Sequence, residues 1–293
     1  MAEPGPALRI VRAALILNDK AGTVSGLVEP RAMLEAALME SGFSFAPISC
    51  DDAGLEAQWL AALGTDAQVF FIAGGDGTLR DAAGRLIRSE AILAPLPGGT
   101  MNQICARLGL PNDLMLAARR YRAAEVGLLD VATANGEIFL FQSIVGAPTR
   151  LMHFREMQRG TGLRGWCRLL RAGLRVLTRT ASHNLAVRIG PGRRKRGHAA
   201  VITVPPPQSA NALSLELVRP PSMAARLRQA LRWFRGDLAR DGDVVVCKGA
   251  RLVLHGPEGF LRLSLDGEMR LARTPLRFRL HRGALRVLVP KTK

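Results

Sequence analysis

Cysteine, histidine, aromatic side chains and negative charge are all scarce in this chain. The four cysteines, Cys50, Cys105, Cys167 and Cys247, are widely scattered. They form neither a disulfide framework nor paired zinc ligands, and a reducing cytoplasm suits them. The five histidines, His153, His183, His198, His255 and His281, have no ligand spacing and read as surface or packing residues. Aromatic content is 5%, and neither a base-stacking platform nor a recognition helix is visible, which argues against specific nucleic-acid readout. No uninterrupted apolar run approaches the length of a membrane span. Arg9 and Arg12 break the apolar stretch near the start and no basic segment precedes it, so those residues read as a first strand rather than a leader.

Acids number 24 against 41 basic residues, nearly all of them arginine, leaving a formal charge of +17. Such an excess says little about fold. It favours an anionic partner: nucleic acid, a negatively charged membrane, or phosphorylated small molecules.

What is present describes a folded chain. Hydrophobic residues make up 48% and charged residues 22% of 293, ordinary for a globular protein long enough for two domains. The first part alternates apolar strand candidates (13–17, 45–48, 69–73, 91–96) with helical segments near 30–41, 55–63, 78–88 and 103–108. That rhythm predicts a doubly wound parallel sheet with helices on both faces, whose ligands bind at the carboxyl ends of the strands. After about Glu125 the pattern changes to short runs alternating apolar residues with arginine, as half-exposed antiparallel strands do, interrupted by helical stretches at 163–179 and 223–238. The expected organisation is α/β: a nucleotide-type domain over 1–124, then an antiparallel β-sandwich over 125–293, whose last residues can pack back on the first domain.

Three glycine-bearing turns, 18–22, 74–78 and 98–102, follow strands of the first part. If the strands are parallel, all three open on one edge of the sheet, and their amides can converge on a polyphosphate. Residues 69–81, V-F-F-I-A-G-G-D-G-T-L-R-D, pose a puzzle. Glycines that take positive φ suit a phosphate, yet Asp76 sits among them, and a carboxylate beside phosphate is repulsive unless a divalent cation bridges the two or the acid meets a hydroxyl. A blander reading is available. Thr78 with Asp81, and Thr100 with Gln103, each have the spacing of a capping box that needs no ligand. Asp266-Gly267, between L-R-L-S-L and M-R-L, is likewise a strong hairpin signal in its own right. Neither a Walker sequence nor the motifs of protein kinases occurs.

Taken in order, N-D-K-A-G, G-G-D-G-T, P-G-G-T-M-N, L-L-D-V and L-D-G-E resemble the diacylglycerol kinase catalytic family. They look most like its bacterial DgkB/YegS-type lipid kinases, relatives of sphingosine and ceramide kinases. The set spans nearly the whole chain. The resemblance implies an ATP-binding α/β domain, a lipid-binding β domain, and magnesium-dependent transfer of the γ-phosphoryl group to a lipid hydroxyl, diacylglycerol first among the candidates. It further implies that Asn18, Lys20, Gly22, Gly74, Gly75, Gly77, Thr78, Gly99, Thr100 and Asn102 line the nucleotide phosphates. Asp76, Asp266 and Glu268 would be catalytic, with Asp266 the general base, and Asp76, Asp130 and Glu268 would serve Mg2+. The family usually has Asn and Glu where this chain has Arg80 and Asp81, and Asp where it has Gln103. An NAD kinase shares G-G-D-G-T and is the alternative among enzymes; a catalytically silent lipid-binding regulator is the alternative from another class.

Arginines 164, 168, 171, 175 and 179 form one stripe of the helical stretch 163–179, and A-R-L-R-Q-A-L-R-W-F-R repeats the theme. Basic amphipathic helices of this kind suit reversible docking on an anionic membrane surface. The expected location is therefore cytoplasmic, peripherally associated with the inner face of the membrane. Oligomeric state is not legible in the sequence, and a homodimer stays open.

Overall fold

The computed structural model describes residues 11–45, 54–146, 185–189, 194–206, 212–219, 222–235, 237–256 and 259–291. The helical stretch expected at 163–179 lies outside them. Two compact units result, one of residues 1–130 with 283–293 and the other of residues 131–282.

In the first unit β1 (Val11–Leu17), β2 (Phe43–Phe45), β3 (Val69–Gly74) and β4 (Ile92–Pro97) run parallel in the order β2-β1-β3-β4. Every residue of β3 is buried, and so are the last five of β1, which explains why both read as unbroken apolar runs. The helices between them are α1 (Pro30–Met39), α2 (Leu55–Leu63), α3 (Asp76–Leu86), α4 (Gln103–Arg107) and α5 (Leu114–Arg120). Pro30 stands in the first turn of α1, where no amide is needed. Asp113 caps α5 by accepting from Leu116 N at 2.7 Å. A fifth strand, pairing parallel with β4, comes from late in the chain: β16 (Leu276–Pro290) sets Arg286 and Val287 beside Ile92 and Leu93.

The second unit is a pair of sheets. β7 (Gln142–Gly146), β10 (Ala199–Thr203), β11 (Leu213–Val218), β12 (Val244–Gly249), β14 (Phe260–Leu265) and β15 (Glu268–Arg273) form an antiparallel sheet in the order β12-β11-β10-β7-β14-β15. The other joins β8 (Leu185–Ile189), β9 (Lys195–Gly197), β13 (Arg251–His255) and the start of β16. β5 (Ala124–Ala134) continues into this unit and pairs with β6 (Glu137–Phe139). Leucines 213, 215, 217, 261, 263 and 265 of one sheet and Leu185, Val187, Leu252, Leu254 and Phe278 of the other share a single core. Alternation does the work here. In β14 the leucines point inward while Phe260 and Arg262 stay exposed.

A sixth helix, α6 (Met223–Phe234), ends four residues short of the expected stretch, and a short 3-10 turn, Leu238–Arg240, follows it. The buried carboxylate of Asp241 holds α6 down. It accepts Arg228 Nε at 2.7 Å, Arg228 Nη2 at 3.1 Å and Gln229 Nε2 at 3.3 Å, and those arginine bonds keep it below the usual carboxylate range.

Candidate active site

Three turns meet at the carboxyl ends of β1, β3 and β4. Asn18 Nδ2 donates to Thr78 Oγ1 at 2.8 Å, tying the first turn to the second. Thr23 N donates to Gly98 O at 2.9 Å and Thr23 Oγ1 to Gly99 O at 3.0 Å, tying the first to the third. Gly98 N donates to Gly74 O at 2.9 Å, closing the triangle. Gln58, buried under the end of β1, supports the first turn by exchanging hydrogen bonds with Leu17 N and O at 2.8 and 3.0 Å.

The glycines serve this convergence differently from the expectation. None of Gly74, Gly75, Gly77, Gly98 or Gly99 adopts a left-handed φ. What they provide is contact of backbone with backbone. A Cβ on Gly99 would lie 2.5 Å from Gly75 Cα, and one on Gly98 would lie 2.8 Å from Gly74 N. A Cβ on Gly74 would meet Thr78 Cβ at 2.7 Å. The second and third turns therefore pack together only because neither carries side chains at these points.

The capping boxes are corrected. Helix α3 begins at Asp76 with Gly75 as its N-cap, so Thr78 lies inside the first turn and its hydroxyl oxygen accepts from Asn18 Nδ2. Helix α4 is preceded not by Thr100 but by Asn102, at φ 47°, whose side chain clasps Gly99 through both its N–H (2.9 Å) and its carbonyl (2.8 Å). Asp76 answers the puzzle of the acid among glycines. Its two oxygens accept Gln103 N at 3.1 Å and Ile104 N at 3.0 Å, so a carboxylate at the start of α3 closes the amide end of α4. Burial pushes Asp76 above the ordinary carboxylate value, with the two amides pulling the other way. The same burial, with the charge of Asp76, raises the Cys105 thiol.

The remaining residues of this wall are exposed. Lys20, Gly22 and Thr100 stand on its rim, with Lys20 N bonded to Asn18 Oδ1 at 3.2 Å. Thr23, Gln58 and Asn112, which touches Asn102, complete the frame. They were missed because a threonine after glycine, a helical glutamine and a loop asparagine carry no distinctive pattern. Arg80, one of the departures from the family pattern, is buried in α3, with Asp81 3.4 Å away.

Asp130, in β5, accepts Gly283 N of β16 at 2.8 Å. In the second unit Asp266-Gly267 forms a two-residue turn with φ 48° and 98°, between Leu265 and Glu268, and so satisfies its hairpin signal. The Asp266 carboxylate also gathers three consecutive amides, Leu140, Phe141 and Gln142, at 2.7, 2.8 and 2.9 Å. Those bonds take up most of the roughly four lone-pair positions of a carboxylate. Glu268 lies half-buried with Arg270 Nη2 at 2.9 Å. Among the described residues no group of three or more His, Cys, Asp or Glu side chains is placed to hold a metal ion.

Residues 12–134, which contain all three turns, match the diacylglycerol kinase catalytic domain. By this similarity, that stretch of the chain is a diacylglycerol kinase-type catalytic domain. Among curated relatives, a protein of Pseudomonas savastanoi pv. phaseolicola described as "Probable lipid kinase YegS-like" is 29% identical over 74% of each chain. One of Pseudomonas syringae pv. syringae with the same description is 28% identical over the same shares. A solved diacylglycerol kinase from Bacillus anthracis has the same two-part fold, with a TM-score of 0.66 at 17% identity over 95% of this chain and 96% of its own. The matched residues thus make up most of the first unit, and the antiparallel sheets follow them as in that structure.

Proposed function

We propose that the protein is a lipid kinase that moves the γ-phosphoryl group of ATP to a lipid hydroxyl, diacylglycerol being the leading acceptor and phosphatidic acid the product. The observation that carries this reading is the wall of three interlocked turns in a diacylglycerol kinase catalytic domain, with glycines where the backbones touch. Such a wall offers first-turn amides of α3 to anionic oxygens, and Asn18, Lys20, Gly22, Gly74, Gly75, Gly77, Thr78, Gly99, Thr100 and Asn102 are the proposed phosphate-binding residues.

Magnesium, when bound, would neutralise charge on the nucleotide phosphates. Asp76, a half-buried carboxylate at the glycine turns, fits such an ion, since magnesium takes one or two carboxylates with substrate phosphates and water rather than a protein cage. Asp76, Asp130 and Glu268 are proposed to serve it, and the raised affinity of half-buried Asp76 for a proton is the property a neighbouring cation would reverse. Asp266 is proposed as the group that takes the lipid hydroxyl's proton, its carboxylate oriented by the amides of residues 140–142.

We place the protein at an anionic membrane surface from the cytoplasmic side. The charge of +17 and helix α6, where Leu227 and Leu231 are exposed beside arginines, support this. Among the described residues no helix is long and apolar enough to cross a membrane.

The test is radiolabelled ATP with magnesium and, separately, diacylglycerol vesicles, a lipid extract, or NAD. Label is expected in lipid, with Asp266→Asn and Asp76→Asn losing at least about a hundredfold, the scale of one acid–base or positioning group. Label only in NADP, or full activity in both variants, would end the reading.

A further inference from the structure

The hairpin of β14 and β15 carries Asp266 and Glu268 at its turn, and its two faces differ sharply. One face sends Leu261, Leu263 and Leu265 into the core. On the other, directly opposed pairs set Phe260 against Arg273, Arg262 against Leu271, and Ser264 against Met269. Opposed residues of antiparallel strands share a face; Ser264 is buried there, and the other five form one exposed patch. Its large apolar members are exposed: Phe260 by 47%, Met269 by 37% and Leu271 by 66%. Arg262 and Arg273 are exposed with them, the guanidinium of Arg273 lying 5.4 Å from the centre of the Phe260 ring. The patch contains no acid. Among the described residues β15 is also the terminal strand of its sheet.

Three exposed apolar side chains between two arginines form an amphiphilic surface, whose chemistry matches an anionic bilayer: acyl chains for the apolar groups, phosphate headgroups for the guanidinium groups. A second copy of the chain fits less well, because a two-fold contact here brings arginines together without acids to oppose them. We propose that this face of the β14–β15 hairpin is the surface that seats on anionic lipid. The assignment rests on the lipid kinase reading for its purpose, since it places the turn bearing Asp266 and Glu268 at the source of the lipid. It stands separately as a binding surface.

The test uses the full chain and flotation with phosphatidylcholine vesicles made with and without phosphatidylglycerol. Wild-type protein is expected to float with the phosphatidylglycerol vesicles and to lose binding as salt rises. Leu271→Glu is expected to weaken that partition about tenfold, and Arg262→Glu about fivefold, with circular dichroism unchanged. Leu60→Glu, an exposed leucine of α2, is the control and keeps full binding. Binding unaffected by Leu271→Glu, binding equal on both vesicle types, or loss of a dimer rather than of vesicles in Leu271→Glu overturns the proposal. Flotation that depends on the patch, in a protein that phosphorylates no lipid, leaves the surface in place and removes the kinase reading instead.

Discussion

Replacing Gly99 by alanine tests whether the three turns are held together as described. The new Cβ would stand 2.5 Å from Gly75 Cα, with Asn102 Oδ1 at 3.2 Å and Gly75 N at 3.3 Å. Carbon atoms in contact normally sit about 3.5–4.0 Å apart, so the second and third turns must separate by roughly 1 Å. The two turns meet here backbone to backbone, at Gly75 and Gly99, and are fixed by the pairing of β3 with β4 through Gly74 and Pro97 and by the bond from Gly98 N to Gly74 O. Neither has a rotamer to give. Overpacking of this kind destabilises by about 1–3 kcal/mol. Gly26→Ala is the matched control, since a Cβ there meets nothing within 4 Å and its φ is not left-handed; it is expected to stay within about 0.5 kcal/mol of wild type. Urea unfolding measures both, and stabilisation by magnesium-ATP reads the site. Gly99→Ala as stable as Gly26→Ala would refute the close approach of the turns. Lost stability with nucleotide binding intact would refute the assignment of the turns to phosphate.

Asp76→Asn keeps one acceptor for the start of α4 but turns an NH2 group towards the second amide, and is expected to destabilise the first unit by roughly 2 kcal/mol as a charge-assisted bond is lost. Because the folded-state pKa is raised, wild-type stability gains as pH falls through that value towards the unfolded one near 3.8, and the variant should lack this gain in pH-dependent urea unfolding. Asp241 has the opposite sign. Held low chiefly by Arg228, its contribution is complete above the ordinary carboxylate value and disappears as pH falls below it, so Asp241→Asn should flatten the acid limb of the unfolding curve while lowering stability at neutral pH. Ser143 Oγ is buried with no hydrogen-bond partner among the described residues, and Ser143→Ala is expected to raise unfolding free energy by roughly 1 kcal/mol; a loss would show that the hydroxyl is bonded.

Much of this architecture is legible in the chain because its signals are periodic. The buried strands β3 and β4 appear as unbroken apolar runs and the β14 leucines as strict alternation, so both sheet types follow from the pattern of residues alone. The turns at their ends are equally visible from glycine content. Their caps are not, because a capping box records only spacing, whereas the true partner of the α4 amides is Asp76, 27 and 28 residues earlier in the chain. Asp266 shows the same limit. Its hairpin is local and readable; its grip on residues 140–142 crosses more than a hundred positions and leaves no mark in the sequence.

Strand β16 gives the order of synthesis a bearing on folding. Its far end supplies β4 with a neighbour, and Asp130, Glu90 and Ala123 in the first unit all bond to residues beyond 282. A ribosome that has made the glycine turns has therefore not yet made the strand that completes their sheet. The nascent first unit must wait with an open edge at β4 while the whole second unit emerges, which makes that edge a natural place for chaperone binding or for misassembly during production of the protein.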